Sequence, residues 1–312
     1  MIDVSIIIPT YNRLWSLPKA IDSCRDTSLN IEIIVIDDGS TDGTAEWLVQ
    51  QPKLTVLTQH NQGKDWAVNA GMAVAKGKYI RFLDSDDWLL PRSTDELFAH
   101  AEKYKLDVTC AGYQVFEEEK LVKQIEWTVC DDFLAQQLGE CDSSHYSAYL
   151  FKKDFIKDVP HRQEYGSRDD RKFIIEVALR NPVTGYISMP TLAHRHHNNN
   201  RLQTSAGLDN LVNNQASLSI YKTTFAALEK ENRLTPRYKR AAANQLWHLA
   251  HWIAKADINE AKAIYQWVYE LYPNYTPGHN RKLALLYKTL GFDLTERILR
   301  GLRIFKKTGS RS

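Results

Sequence analysis

Short runs of β-branched residues alternate with amphipathic stretches over the first hundred residues of the chain. Four apolar runs predict strands, at residues 4–8, 32–36, 54–57 and 79–83. Three stretches between them have helical spacing, at residues 17–24, 45–50 and 67–75. This alternation is typical of repeated βα units, so we predict an α/β fold with helices flanking a mostly parallel sheet.

The pattern changes further along the chain. A predicted helix at residues 93–105 leads into a predicted strand at 108–115. From about Ser217 onward Ala, Leu, Lys, Glu and Gln dominate, and strand-like runs disappear. Three C-terminal segments have helical spacing, at residues 237–255, 258–272 and 294–305. The chain therefore also has a predicted helical C-terminal region.

Basic and acidic side chains are nearly balanced, with 40 against 38 in 312 residues and a formal net charge of +2. This balance argues against a surface built to neutralise nucleic-acid phosphates, so we expect no nucleic-acid partner. The apolar runs are far shorter than the roughly 20 residues that span a bilayer. The N-terminus lacks signal-peptide features and the four cysteines show no C-x-x-C spacing. We therefore expect a cytoplasmic protein with reduced thiols.

Polar residues follow all four predicted strands, where an open parallel sheet binds its ligands. The second and fourth exits carry paired acids, Asp37 with Asp38 and Asp84 with Asp86 and Asp87. Such carboxylates are the oxygen ligands that Mg²⁺ or Mn²⁺ prefers beside substrate phosphates, although Asp-rich loops are also common as turns or helix caps. Neither a G-x-G-x-x-G nor a P-loop motif is present, which disfavours a dinucleotide enzyme or a P-loop phosphotransferase. The pattern favours a metal-bound diphosphate.

Four sequence motifs follow one another within residues 5–88. They read SIIIPTYN at 5–12, IVIDDGSTD at 34–42, NQG at 61–63 with NAG at 69–71, and GKYIRFLDSDDW at 77–88. In this order they resemble the family 2 glycosyltransferases, which have the GT-A fold, a Rossmann-like α/β architecture. The resemblance implies a nucleotide-sugar donor, a divalent cation (Mn²⁺ or Mg²⁺) and inversion at the anomeric carbon.

The resemblance also assigns roles to residues at the strand exits. It implies that Pro9 and Tyr11 contact the base and that Asp38 hydrogen-bonds the uracil or its equivalent. It places Asp84 near the ribose and the sugar. Asp86, the second acid of the D-x-D motif, would ligate the metal.

Three positions near the third predicted helix extend this comparison. Lys64 loosely matches a basic contact to the nucleotide, and Asn69 belongs to the implied donor site. Val68 departs from the pattern, because many members have Arg there. The resemblance thus leaves open which cation on this helix, if any, replaces that Arg.

A displacement at the anomeric carbon needs a carboxylate that removes the acceptor proton from the side opposite the leaving group. Asp169 and Asp170 precede a helical stretch at residues 174–179. They resemble the Glu-Asp pair of the family, with Asp170 matching the catalytic base and Asp169 replacing Glu. The alternative is that both acids only cap the helix and complement its dipole.

A third cluster reads HRHHNNNR at residues 194–201. It resembles a segment in which many relatives place an Arg or His near the diphosphate and metal, and histidine suits Mn²⁺. Of the three histidines we favour His196 as the metal ligand. A solvated polar loop is the alternative.

The C-terminal tail, residues 295–312, holds six basic residues and one acid, with apolar residues between them. A basic amphipathic helix of this kind can lie on anionic lipid, which predicts a peripheral contact with the cytoplasmic face of a membrane. The alternative is a helix packed on its own domain.

These observations predict an inverting, metal-dependent hexosyltransferase. It would move a sugar, expected from a UDP-sugar, to a hydroxyl of a glycan or lipid-linked glycan in surface polysaccharide synthesis. We predict a donor-binding half at residues 1–113, an acceptor-binding half with the base at 114–205, and a helical region at 206–312. A sugar nucleotidyltransferase and a non-catalytic carbohydrate-binding protein of the same fold remain the alternatives.

Overall fold

The computed structural model describes residues 1–117, 119–197, 208–276 and 281–308. Its strands are β1 Val4–Thr10, β2 Ile31–Asp37, β3 Thr55–Thr58, β4 Tyr79–Phe82, β5 Trp88–Leu89, β6 Val108–Glu117, β7 Lys120–Ile125, β8 Leu150–Lys152 and β9 Thr184–His196. The helices of the first two hundred residues are α1 Leu17–Cys24, α2 Thr44–Val49, α3 Lys64–Val74, α4 Ser93–Tyr104, α5 Phe133–Leu138, α6 Lys153–Ile156 and α7 Asp169–Leu179. The remaining helices are α8 Leu208–Lys230, α9 Pro236–Ile253, α10 Ile258–Leu271 and α11 Arg281–Thr308.

The chain forms two compact units. The first comprises Met1–Leu134 and Asp142–Leu202, and the second comprises Ala135–Cys141 and Gln203–Ser312. All nine strands above belong to the first unit, whereas α8 to α11 belong to the second.

One mixed sheet organises the first unit, with strand order β3-β2-β1-β4-β8-β6-β9-β5 and with β7 paired to β6. The strands β3, β2, β1 and β4 are parallel neighbours, and β6 and β9 are also parallel to each other. Every residue of β1 is buried. A strand with both faces covered must be apolar along its whole length, which explains the unbroken run VSIIIPT.

The close approach of α3 to the sheet depends on Gly71. A Cβ atom at this position would lie 2.6 Å from Ile7 Cγ2 and 2.8 Å from Ile36 Cδ1. A side chain would therefore push α3 away from β1 and β2. The NAG motif thus brings the start of α3 to the carboxyl ends of the strands.

A buried arginine anchors the strand that precedes the acidic loop. Arg81 in β4 donates hydrogen bonds to Ser93 Oγ at 3.0 Å and Thr94 Oγ1 at 2.8 Å. It also donates to the carbonyl oxygen of Thr191 in β9 at 2.8 Å. Burial lowers the pKa of Arg81 to about 9. Arg81 thereby joins β4, α4 and β9 on either side of the loop at residues 84–87.

The predicted α/β pattern is confirmed, and the observed strands include the four that the apolar runs predict. The third helix begins at Lys64, three residues before its predicted start. Strand β6 crosses residue 113, so the two predicted halves share one sheet. The strands β5, β7, β8 and β9 complete the sheet, and no apolar run predicted them.

Aromatic residues form the centre of the second unit. The Trp247 ring packs against Tyr287 at 4.7 Å, and Tyr265 stacks on Phe292 at 4.6 Å. Gly291, with φ 73° and ψ 175°, interrupts α11 and separates the predicted segment 294–305 from the first part of that helix. Among the described residues, none of the helices combines the length and the apolarity that a membrane span needs.

Candidate active site

The loops after β1 and β2 are tied to each other. Asn12, in the left-handed region at φ 52°, donates its backbone N–H to Ser40 Oγ at 2.9 Å. Its side-chain oxygen accepts the Thr41 N–H at 2.7 Å. Pro9 is buried at the end of β1, whereas Tyr11 is 43% exposed and lies in the adjoining loop. Of the two residues expected to contact the base, only Tyr11 presents a substantial surface to solvent.

Asp38 holds the loop that precedes α3. Its Oδ1 accepts hydrogen bonds from Gln59 Nε2 at 2.7 Å and from the Gln62 N–H at 2.9 Å. Its Oδ2 accepts the Gly63 N–H at 2.9 Å. A carboxylate offers about four acceptor positions, so one is left for a ligand donor such as a base N–H. Besides its predicted contact with the base, Asp38 therefore shapes the site.

Gly39 lets the loops after β2 and β3 meet. Its φ is +79°, and a Cβ atom there would lie 3.0 Å from the Asn61 backbone nitrogen. A side chain would meet both the left-handed backbone and this contact. The glycine of the DDGS motif is thus required where the Asp38 carboxylate reaches the next loop.

Lys64, the first residue of α3, bridges two acids from distant segments. Its Nζ lies 2.7 Å from Asp84 Oδ1 and 3.0 Å from Asp170 Oδ2. Burial alone would lower the pKa of Lys64, but the charges of Asp170 and Asp84 raise it well above its usual value. The lysine is therefore a permanent cation between the two carboxylates.

The two acids respond differently to this cation. Burial alone would raise the pKa of Asp84, but Lys64 lowers it to about 2. Burial also dominates at Asp170 and raises its pKa, although Lys64 opposes the shift and Asp84 adds to it. Asp84 is thus the firmly ionised member, and Asp170 is the one poised to take a proton.

The Asp86 carboxylate contacts the imidazole ring of His197. His197 Nε2 donates to Asp86 Oδ2 at 3.0 Å, and Arg13 Nε lies 3.7 Å from the same oxygen. His196 is exposed, and its ring packs edge-on against His194 at 5.1 Å. Side chains alternate along the end of β9, and His197 is the histidine that contacts Asp86, so it joins His196 as a candidate metal ligand. Residues 198–201 of this cluster lie outside the described part of the chain.

A further acid of the loop binds the other end of the histidine segment. Asp87 is buried and accepts hydrogen bonds from His194 Nδ1 at 3.0 Å and from the Arg195 N–H at 2.8 Å. Burial raises the pKa of Asp87 to about 6, although His194 opposes the shift. Asp87, His145 and His194 also offer ligand atoms within 4.8 Å of one another. The acidic loop is therefore surrounded by imidazole groups.

The donor atoms around this loop fit a divalent cation. Asp86 is partly exposed, and its carboxylate touches an imidazole nitrogen, a combination that suits Mn²⁺. Among the described residues, no group hydrogen-bonds the second nitrogen of that ring, the buried His197 Nδ1. The ring packs edge-on against Trp15 at 4.8 Å, so it presents an imidazole nitrogen beside the Asp86 carboxylate in a fixed position.

The two acids at the start of α7 have separate environments. Asp169 is buried and accepts a hydrogen bond from the Arg162 N–H, and His161 Nδ1 contacts its other oxygen. Asp170 instead faces Lys64. Both acids lie in the first turn of α7, where they also complement the helix dipole, and the N-cap residue itself is Arg168.

Asn69 does not face the donor loops. Its amide donates to the His161 carbonyl at 2.8 Å and accepts the His161 N–H at 2.9 Å. Both ends of the side chain are therefore used to hold the 161 backbone against α3. The donor contact of Asn69 stays a prediction, and the observed role of its amide is to position residue 161.

The structure brings Lys64, Asp84 and Asp170 into contact and places Asp38 and Asp86 on the loops around them. Sequence reasoning missed His161, Asp65 and Tyr146, which support these residues from a buried position. No motif marks His161 or Tyr146. Asp65 carried a weak signal, because it directly follows Lys64.

Solved structures with the same fold are glycosyltransferases of the GT-A class. The chain matches residues 1–349 of the S. aureus protein TarS in complex with UDP-GlcNAc, with a TM-score of 0.57, 12% identity, and coverage of 93% of this chain and 92% of that one. It also matches the mannosyltransferase PcManGT from Pyrobaculum calidifontis, in complex with GDP-Man and Mn²⁺, with a TM-score of 0.52, 18% identity, and coverage of 97% and 84%. The fold of the first unit therefore belongs to the GT-A-like class of these neighbours.

The family model described as Glycosyl transferase family 2 matches residues 5–158, which include all four motifs. Residues 5–158 thus belong to glycosyl transferase family 2. Glycosyltransferase GlyG of Streptococcus pneumoniae is 35% identical over 121 residues, which are 37% of this chain and 40% of GlyG. EpsH of Bacillus subtilis is 25% identical over 253 residues, which are 74% of this chain and 70% of EpsH. The chain thus spans less than half the length of GlyG.

Proposed function

We propose that the protein is an inverting, metal-dependent hexosyltransferase. It transfers a sugar from a nucleoside diphosphate donor, a UDP-sugar, to a hydroxyl of a glycan or lipid-linked glycan acceptor during synthesis of a surface polysaccharide. The observation that carries the proposal is the contact of one lysine with both Asp84 and Asp170. This shared contact supports a base that acts close to the acidic loop, which the family uses for the donor.

Asp170 removes the acceptor proton in this scheme. The acceptor oxygen forms a bond to the anomeric carbon, the bond from that carbon to the diphosphate oxygen breaks, and the proton passes to an Asp170 oxygen. A base with a raised pKa suits this step, because it is ionised before transfer and accepts the proton readily. Attack from the side opposite the leaving group inverts the anomeric centre.

Lys64 provides the cation that the family pattern assigns to the next turn of the helix. Val68, which stands where many members have Arg, is fully buried. Lys64 lies one turn earlier on α3 and already contacts Asp84. Its charge is therefore available to the donor as well as to the two acids.

Asp86 and His197 would hold the cation, with Asp87, His145 and His194 as further donors around the loop. When bound, Mn²⁺ or Mg²⁺ supplies positive charge that stabilises the departing diphosphate. Asp86 must exchange its contacts with His197 and Arg13 for this role. The complex of PcManGT with GDP-Man and Mn²⁺ supports a metal on this fold.

The choice of UDP-sugar is supported by the fold shared with TarS, which binds UDP-GlcNAc. The Asp38 carboxylate accepts three hydrogen bonds and so has one acceptor position left, which suits the N–H of a pyrimidine base. PcManGT is in complex with GDP-Man instead. The experiment must therefore test GDP-sugars beside UDP-sugars.

The second unit offers a surface for an acceptor held in a membrane. Leu290, Leu294 and Ile298 in α11 are 39%, 49% and 41% exposed, and Arg297 and Arg300 lie on the same helix. Apolar and basic side chains together bind anionic lipid surfaces. Of the predicted tail, residues 309–312, which include Arg311, lie outside the described residues.

Release of nucleoside diphosphate tests the enzymatic proposal. The purified chain is incubated with Mn²⁺ and a panel of UDP- and GDP-sugars, and thermal stabilisation by each donor is measured, since a bound donor raises the midpoint by mass action. We expect one UDP-sugar to stabilise the protein and to yield UDP when a glycan acceptor is added. Exclusive stabilisation by a GDP-sugar would overturn the UDP assignment. Consumption of a nucleoside triphosphate would favour a nucleotidyltransferase, and donor binding without any turnover would favour a binding protein.

Sedimentation with vesicles tests the membrane contact separately. Vesicles of phosphatidylglycerol with phosphatidylcholine should bring down the wild type, and the double variant Leu294→Ser with Ile298→Ser should remain in the supernatant. Val49→Ser, at a residue that is 84% exposed in the first unit, is the control and should sediment like the wild type. Equal sedimentation of the double variant and the wild type would refute the contact.

A further inference from the structure

Four buried polar residues adjoin the Lys64–Asp170 ion pair and belong to neither the donor loops nor the metal loop. Asp65, Tyr146, His161 and Asp169 have exposures of 8%, 5%, 4% and 2%. Two of them are sequence neighbours of the ion pair, because Asp65 follows Lys64 and Asp169 precedes Asp170. Buried polar groups need partners, so the hydrogen bonds of this cluster determine how the two helix starts are held.

The directions of these hydrogen bonds follow from chemistry. Asp169 accepts the Arg162 N–H at 2.5 Å, and an ionised carboxylate can only accept, so the proton between His161 and Asp169 is on Nδ1. In a neutral ring His161 Nε2 then accepts the hydroxyl of Tyr146 at 2.8 Å. Burial raises the pKa of Tyr146 well above its usual value, so this hydroxyl keeps its proton.

Asp65 adds a second carboxyl group to this cluster, because one carboxylate oxygen each of Asp65 and Asp169 and a ring nitrogen of His161 lie within 4.8 Å of one another. Two carboxylates in contact inside a protein cannot both be ionised without strong repulsion. Since Asp169 already accepts from two donors, the shared proton belongs on Asp65. Burial, followed by the charge of Asp169, raises the pKa of Asp65 to about 7.

We propose that Asp65 is a positioning residue. Its protonated carboxyl donates to Asp169 and holds the start of α3 against the start of α7, so that Lys64 and Asp170 meet. That Asp170 is the base rests on the proposed function, whereas the shared proton does not. Asn69 reinforces the same junction through its two hydrogen bonds to the His161 backbone.

Capping alone does not explain the cluster. Asp169 is the first residue of α7, after the N-cap Arg168, and its hydrogen bonds go back to residues 161 and 162. Asp65 likewise follows the N-cap of its helix, Gly63, whose amide is bound by Asp38. Asp65 and Asp169 therefore connect the start of α3 to the start of α7 and to the segment that precedes α7.

The ionisation of Asp65 makes this junction pH-dependent. Its surroundings contribute five titratable or charged groups: Lys64 on its own helix, Asp169 and Asp170 on α7, and His161 and Tyr146 from the segment between them. The folded-state pKa is raised above the ordinary value of about 3.9, so the stabilising effect is complete below that value. It is lost as pH rises toward the folded pKa of about 7.

Two variants of Asp65 and one control test the proposal. Asp65→Asn keeps a hydrogen-bond donor but cannot ionise, and Asp65→Ala removes the bond. Glu96→Gln changes an exposed acid in the first turn of α4 and is the matched control. Thermal midpoints are measured from pH 5 to pH 8.5 without ligand, and the turnover number and donor affinity are measured over the same range.

We expect the midpoint of the wild type and of Glu96→Gln to fall as pH rises through about 7, and that of Asp65→Asn to stay level. Asp65→Asn should keep turnover near the wild-type value at pH 7 and lose less of it above that pH. Asp65→Ala should lose about 100-fold in turnover number with little change in donor affinity, as expected when a base is displaced by about 1 Å.

Parallel midpoint curves for Asp65→Asn and the wild type would overturn the shared proton. Full turnover in a folded Asp65→Ala would overturn the positioning role. A stoichiometric metal ion that survives dialysis against a chelator in the wild type and is missing from Asp65→Asn would replace the proton by a metal at Asp65, His161 and Asp169. If no donor is turned over at all, the proposed function fails, and the ligand-free midpoint curves still decide whether Asp65 and Asp169 share a proton.

Discussion

Lys64 and Asp170 are separated by 106 positions in the sequence, and Lys64 Nζ lies 3.0 Å from Asp170 Oδ2. Lys64 opens α3 on the donor side of the site, whereas Asp170 belongs to the first turn of α7. Their contact closes the site around Asp84. The charges of these three groups determine the effects that we expect from Asp170→Asn and Lys64→Met.

Replacing Asp170 by Asn should abolish most of the transfer reaction. The amide cannot accept the acceptor proton, and loss of a general base costs about 10²- to 10⁴-fold in rate. Donor affinity should change much less, because Asp84 still neutralises Lys64. Steady-state rates and donor titration calorimetry give the two numbers. The exposed Asp154→Asn in α6 is the control, and turnover of Asp170→Asn at the wild-type rate would refute the base assignment.

The two neighbouring histidines should differ in their effect on Mn²⁺. His197→Ala removes the imidazole next to Asp86, so Mn²⁺ affinity in the presence of donor should fall about tenfold or more. His196→Ala removes an exposed ring and should change that affinity less. Titration of Mn²⁺ followed by electron paramagnetic resonance measures both variants. A larger loss for His196→Ala would restore the histidine favoured from the sequence.

Replacing Lys64, the cation between the two acids, should change how the free energy of unfolding depends on pH in the acid range. The folded-state pKa of Asp84 is lowered to about 2, so its contribution is present above about pH 4 and is lost as pH falls toward 2. In Lys64→Met two carboxylates face each other without a cation, which should cost about 3 kcal/mol at pH 7. This deficit should shrink as the acids take up protons between about pH 5 and 3.

Urea unfolding at several pH values measures this effect. Lys78→Met is the control, because its partner Glu102 is exposed and such pairs contribute about 0–1 kcal/mol. A constant difference between Lys64→Met and the wild type across this range would contradict the assigned ion pair.

Asp38→Ala should loosen the loop before α3. The N–H groups of Gln62 and Gly63 would lose their acceptor, and a hydrogen bond to a charged group contributes about 1.5–3 kcal/mol. Amide hydrogen exchange at these two residues should become faster, and donor affinity should fall. Asp26→Ala, at an exposed position, should change neither quantity. Unchanged exchange at Gln62 and Gly63 would show that Asp38 does not hold the loop.

The central strands could be predicted because each is an unbroken apolar run between polar exits. The run at residues 4–8 lies in β1, where both faces of the strand are buried. Strands β5 and β8 have two and three residues, which is too short for a periodic signal. In β9 the burial pattern alternates irregularly, because the strand has register shifts where it pairs with β6.

The candidate acids could be predicted, but their partners could not. Asp38, Asp84, Asp86 and Asp170 stand in motifs or beside strand ends, where local sequence carries the signal. The partner of Asp86 depends on which side chain at the end of β9 turns toward it, and that side chain is His197, while the role of His196 as metal ligand stays a prediction. Asn69 lies in a motif and still faces His161, because helix packing orients its amide.

The sequence by itself determined the α/β class, the family and the acids at the strand exits, because these depend on local apolar runs and short motifs. The tertiary structure decided which acid meets which cation. Contacts such as Lys64 with Asp170 and Asp65 with Asp169 join segments about a hundred residues apart. Such contacts depend on how the helices pack on the sheet, and no pattern within one segment records that packing.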